Sequence, residues 1–162
     1  MELAEKLEQA FAAYLQSLAT WPDSLKDADG ALQIFPGEND APKDQQCVVC
    51  VAENGDIEDP PMSGNRHIPF RIEVRTPVAD PSPIADHEAV TAALETAILD
   101  STLSDLVNAA AYAKAIASPG DFADLDNFCL YPVISRTPIR EQDEELWVSG
   151  HSLGCYCMGI KG

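Results

Sequence analysis

Apolar residues recur at three- and four-residue steps through Leu3, Leu7, Ala10, Phe11, Tyr14, Leu15 and Leu18. The spacing predicts an amphipathic helix over residues 2–19, with Glu2, Glu5, Glu8 and Gln9 turned away from the stripe. Trp21-Pro22 ends it, because a residue before proline avoids the helical region. Residues 22–31 read as a polar linker. Leu32, Ile34 and Phe35 form a short extended piece stopped by Pro36-Gly37. The run CVVCVA at 47–52 is compact and β-branched, and predicts a strand buried on both faces.

A long acidic loop rich in Pro and Gly then fills residues 54–67. Beyond it, Ile68, Phe70, Ile72 and Val74 alternate with Arg71, Glu73 and Arg75, which is the period of a strand over 68–76 with one apolar face. The other face is expected to be polar and open. Ser82 as N-cap with Pro83 at the first helical position starts a helix that carries Ile84, His87, Val90, Leu94 and Ile98 on one side. A second helical piece restarts near Ser101 or Thr102 and runs to about Ala117, with Leu103, Leu106, Val107 and Ala110. Phe128–Ile134 reads as an edge or bulged strand, since Pro132 cannot donate to a ladder. Residues 136–145 read as a connection. Two final strands, 146–149 and 153–160, are expected to pair as a hairpin around Gly150-His151.

The elements run α-β-β-β-α(α)-β-β-β. They predict an α+β class: a single mixed, mainly antiparallel sheet with helices packed on one face, in one domain over 1–162. Burying the Ile68–Val74 row under the second helix is its expected adhesive, at about 1.5–3 kcal/mol per large side chain.

Charge narrows the class of partner. Asp+Glu 27 against Lys+Arg 10 leaves a formal net charge of -17, which must lie in water or in pairs. It opposes sequence-specific nucleic-acid binding, which needs basic residues against phosphate. No apolar run approaches the length of a bilayer span, and the acidic N-terminus resembles neither a secretory signal nor a transit peptide, so a cytoplasmic location is expected. The five cysteines are read as thiols.

Each candidate for chemistry has a plainer reading. Cys47 and Cys50 have the spacing of a redox or zinc half-site, but residues three apart on a strand face opposite ways. Cys155 and Cys157 share a face and are too extended to chelate alone. A four-cysteine zinc site from 47, 50, 155 and 157 needs the fold to gather them. Cys129 with His151 is a conceivable nucleophile pair lacking an orienting group. His67, His87 and His151 are the only histidines, and His87 reads as a packed, hydrogen-bonded residue.

Asp121, Asp124 and Asp126 lack the rest of a calcium loop, and Glu141, Asp143, Glu144 and Glu145 read as a solvated turn. Gly150-His-Ser-Leu-Gly154 matches G-x-S-x-G, but a strand follows where the elbow needs a helix. No residue is therefore assigned as catalytic, cofactor-binding or metal-binding, and no enzyme activity or cofactor is expected.

Several stretches, taken in order, carry a resemblance. They are the helix of Leu3 to Leu18, the strand Cys47–Ala52, the loop with Gly64-Asn65, and Ile68-Pro-Phe-Arg-Ile-Glu-Val-Arg75 running into Ala79-Asp80. A helix with Asp86-His87 near its start and Leu94 further on comes next, then late strands around Trp147 and Tyr156. This order resembles the tail terminators of tailed phages and prophages, also described as minor tail or tail-completion proteins. The resemblance implies a structural virion-assembly subunit with a tail-terminator-like fold and no catalysis.

Such a subunit forms a homo-oligomeric ring, commonly a hexamer, that caps the tail tube and joins it to the head-tail connector protein. It also implies residence in the bacterial cytoplasm during assembly and then in the virion tail, without membrane contact. Loop 54–67 would be the element that docks on a neighbouring ring. A head-tail adaptor or neck protein, and a generic acidic protein-binding module, are the alternatives.

Overall fold

The computed structural model describes residues 3–39, 41–42, 44–52, 57–58, 66–78, 83–114, 128–135, 141–143 and 146–157. Its centre is a pair of twelve-residue strands. The fourth strand, β4 (Arg66–Pro77), runs antiparallel to the seventh, β7 (Leu146–Cys157), in unbroken register from Arg66↔Cys157 to Pro77↔Leu146. On the free side of β4 lie β2 (Cys47–Ala52) and then β3 (Ile57–Glu58), both antiparallel to it. On the free side of β7 lie β5 (Phe128–Ser135) and β6 (Glu141–Asp143), also antiparallel. The first strand, β1 (Ile34–Pro36), joins β2 in parallel and makes the sheet mixed. Gly37 then turns the chain away with φ 79°, a region that suits glycine.

Three helices accompany the sheet: α1 (Leu3–Gln16), α2 (Pro83–Ile98) and α3 (Leu103–Ala113). They cover one face, as the period-2 pattern predicts. Ile68, Phe70, Ile72 and Val74 are all at most 1% exposed. They do not rest on α2 alone, however. Phe11 of α1 stacks on Phe70 with ring centroids 4.5 Å apart, and α1 also lies against α3, β1 and β2. Tyr14 Oη donates to the Ala97 carbonyl at 3.0 Å and ties α1 to the end of α2.

Several expectations change. The helix α1 stops at Gln16, short of 19, because its last carbonyls are taken: Ser17 Oγ donates to Tyr14 O at 2.6 Å and Trp21 Nε1 to Leu15 O at 2.7 Å. Glu8 does not simply face water. It accepts from the Ala52 N–H at 3.0 Å, and burial raises its pKa. Residues 22–31 are not all polar linker, since a 3₁₀ turn at Asp23–Leu25 buries Leu25. Ile84, assigned to the apolar side of α2, is 53% exposed.

The strand expected over 68–76 starts earlier, at Arg66, and residues 54–67 contain β3 paired with Arg66 and His67, so that segment is in part sheet. The connection 136–145 likewise contains β6, so Glu141 and Asp143 belong to a strand and not to a solvated turn.

The largest correction concerns the C-terminal hairpin. Gly150-His151 is not a turn: β7 continues straight through it, paired with Glu73 and Ile72. Two apolar stretches separated by Gly-His-Ser read as two strands, but the twelve-residue partner β4 supplies a hydrogen-bonding edge long enough to hold both in one. Ser82, Asp121, Asp124, Asp126, Glu144, Glu145 and the stretch 115–117 lie outside the described residues.

The side of β4 opposite the helices is not an open polar face either. Cys47 and Val49 are buried there, and Arg75 Nη2 reaches Glu38 Oε1 at 2.8 Å. The segment after Gly37 therefore covers part of it.

Two substitutions separate these readings. Phe70→Ala should lower unfolding stability by about 3–5 kcal/mol in a urea titration, since it removes a fully buried ring that stacks on α1. Gly150→Ala should be tolerated within about 0.5 kcal/mol, because a methyl there meets Arg71 Cδ and Glu73 Cγ only at 3.9 Å. A severe loss from Gly150→Ala would contradict the continuous strand.

Candidate functional site

The helix-facing row of β4 ends in a polar member. Thr76 is in phase with Ile68 through Val74 and is 2% exposed. Across the sheet, Ser149 of β7 sits opposite Val74 and shares the same face. His87 comes one turn into α2, three residues before the buried Val90, which brings its ring down between the two hydroxyls. Thr76 Oγ1 lies 2.7 Å from His87 Nδ1, and His87 Nε2 lies 2.6 Å from Ser149 Oγ. Gln46, just before β2, donates through Nε2 to Thr76 Oγ1 at 2.8 Å. All four side chains are buried, and the chain of bonds joins the start of β2, β4, α2 and β7.

The direction of this chain decides what it can do. Polarisation favours bonds that run one way: Gln46 N–H to Thr76, Thr76 O–H to His87 Nδ1, and His87 Nε2–H to Ser149 Oγ. In that direction Ser149 receives a hydrogen bond from the imidazole. A serine nucleophile needs the reverse, a lone pair on Nε2 to take its proton and an acceptor holding Nδ1–H. The group next to Nδ1 here is a neutral hydroxyl that already accepts from Gln46, whose own Oε1 is buried with no partner. The arrangement fastens α2 to the sheet. Sequence reading placed His87 as a packed, hydrogen-bonded residue and did not identify Thr76 and Ser149 as its partners. The one available signal was Thr76 falling in step with the apolar row.

A second cluster lies on the other face. Glu73 is held between two guanidiniums: Arg71 Nε at 3.0 Å from Oε1, and Arg75 Nη2 at 2.7 Å from Oε2. Arg75 also reaches Glu38, so two positive and two negative charges cancel locally. Glu73 is nearly buried, and a carboxylate there is tolerable only with such pairing.

Cys47 and Cys50 fall on opposite faces of β2, opposite Arg75 and Ile72 respectively, so they do not converge. Both are buried thiols. Burial pushes Cys47 from its ordinary 9.0 up to about 11, and pushes Cys50 higher still.

Cys129 pairs with Tyr156, five residues along β7 from His151 and hence about 17 Å away, so register keeps that pair apart. Cys155 stands beside Ile68, and Cys157 beside Arg66; neither register position adjoins Cys47 or Cys50. His67 pairs in register with Ile57 and Tyr156. Among the described residues, no group of three or more His, Cys, Asp or Glu is placed to hold a metal ion. Gly150 to Gly154 is uninterrupted strand, without the elbow turn.

No protein-family model matches the chain, and neither a curated protein nor a solved structure matches it.

Nitrogen-detected NMR of the imidazole should find His87 as the Nε2–H tautomer, and Thr76→Val should cost about 1–3 kcal/mol by stranding Gln46 and Nδ1. An Nδ1–H signal would reverse the chain. The thiols predict a pH dependence. Above 9.0 the unfolded chain loses the Cys47 proton while the folded chain keeps it to about 11, so the folded state binds more protons and stability falls as pH rises through that window. Urea midpoints should fall less steeply there in Cys47→Ala than in the parent.

Proposed function

We propose that the protein is a structural subunit of a phage tail, a tail terminator that closes into a ring, caps the tail tube and joins it to the head connector. The observation that carries the reading is the one-sided sheet. Its three helices lie on one face, while the sheet ends at β1 and at the β5–β6 line, whose outer sides pair with nothing among the described residues.

The eight-residue edge of β5 is a liability in a free subunit and a ready contact in a ring, whereas β1 and β6 are short. The order of a leading helix, a long central strand and a helix carrying His87 agrees with the family pattern. The net charge of -17 suits a bore through which DNA slides without adhering. The buried polar chain suits the same role, since it locks the helix layer to the sheet and leaves the outer surfaces for neighbours.

Native mass spectrometry of the purified protein with its tail-tube protein should give a closed ring of uniform copy number, seen as an annulus by electron microscopy. Protein that stays monomeric beside its tube would overturn the reading. Shortening residues 59–65, which spares β3 and β4, should block joining of tail to connector while thermal unfolding is unchanged.

A further inference from the structure

We propose that Gln46, Thr76, His87 and Ser149 form a pH-sensitive switch inside the fold. When His87 takes up a proton, the hydrogen bonds between it and Gln46 reverse, and the Gln46 amide turns over while α2 stays fastened to the sheet. The four groups stand in line. Gln46 Nε2 is 2.8 Å from Thr76 Oγ1, Thr76 Oγ1 is 2.7 Å from His87 Nδ1, and His87 Nε2 is 2.6 Å from Ser149 Oγ.

A spare acceptor at one end of the line carries the inference. Gln46 is 5% exposed, and its Oε1 is buried with no hydrogen-bond partner, which is uncommon in a folded protein. With a neutral ring the bonds run from Gln46 toward Ser149, and Oε1 is idle. A charged imidazole carries an N–H on both nitrogens, so Nδ1 no longer accepts from Thr76. Thr76 Oγ1 then accepts from Nδ1–H, and its own proton needs a new acceptor. A half-turn of the Gln46 amide brings Oε1 to where Nε2 stands, 2.8 Å from Thr76 Oγ1. The bond from Nε2–H to Ser149 is kept throughout. The line therefore holds the same three hydrogen bonds in either direction, and the turn exchanges one unsatisfied end of the amide for the other.

The charged groups around the ring are mixed. On α2, Asp86 and Glu88 flank His87 in sequence and favour its charged form, and Glu95 lies two turns further on. On the helix side of β4 the row from Ile68 to Thr76 carries no ionisable group, while Arg71, Glu73 and Arg75 lie on the other face and pair there. On β7, His151 is buried on the same side as Ser149, so a charge on its ring would oppose one on His87. Before β2, Asp44 is exposed, and Cys47 faces the other side, opposite Arg75. A proton taken up beneath α2 is thus registered at Gln46, at the end of the segment that follows Gly37. This inference stands apart from ring formation.

The test follows the intact chain by proton–nitrogen NMR while pH is lowered from about 8 to about 5, the span in which imidazoles charge. Both ring nitrogens of His87 should move to imidazolium shifts. The side-chain amide resonances of Gln46 should move with the same midpoint, while the backbone amides of α2 keep their folded positions. Gln46→Met assigns the amide signal, preserves most of the buried volume and removes the acceptor. In that variant the charged ring leaves the Thr76 hydroxyl proton stranded, so the His87 midpoint should drop by about one pH unit, the size expected for one buried hydrogen bond. A His87 ring that stays neutral until the fold melts would overturn the proposal. So would a His87 titration that leaves the Gln46 amide unmoved, or a midpoint unchanged in Gln46→Met.

Discussion

Every other part of this molecule is arranged around the burial of alternate residues along β4. Ile68, Phe70, Ile72 and Val74 point to one side, and they have no water to fall back on. A strand that buries such a row must have its register held from both edges, because a slip of one residue would move the whole row to the other face. β2 and β3 hold one edge and β7 holds the other along its full length. The helices then close over the row, with α1 supplying the ring that stacks on Phe70 and α2 lying across β4 and β7.

The two faces of β4 meet burial in different ways. On the helix side apolar contact suffices until Thr76, where the row turns polar and a hydrogen-bonded histidine takes over the fastening. On the other side Glu73 loses water and is compensated by Arg71 and Arg75. Neither solution is a strong source of net stability, since hydrogen bonds and ion pairs inside a protein largely replace those made to water. Their effect is on specificity: an alternative packing of α2, or a shifted β4, would strand buried polar atoms. A fold with such locks on both faces keeps its own arrangement whatever its strand edges and exterior meet.

Much of this was legible along the chain, and the failures share a cause. The alternation at 68–74 set the central strand and its inner face, and the three- and four-residue steps set α1 and α3. The opposed faces of Cys47 and Cys50 followed from strand geometry alone. What misled was any feature whose local signal depended on a distant partner. Gly150-His151 has the composition of a turn, yet it is ordinary strand because β4 pairs with it throughout. Glu8 belongs to the polar set of α1, yet it turns to an orphan N–H at the end of β2. Glu141 and Asp143 read as part of a turn, yet their backbone pairs with β7.

Residue order therefore settled what depends on neighbours a few positions away: which segments are helices, which alternate, which face of each is apolar, and that the exterior is acidic. It settled these because backbone geometry repeats every 3.6 or 2 residues, so the pattern is written within one element. Tertiary structure alone decided that β7 is one strand, that His87 meets Thr76 and Ser149, and that Gln46 reaches Thr76. Those contacts join residues from eleven to more than sixty positions apart or across strand edges, and a periodicity within one element holds no record of which edge will lie beside it.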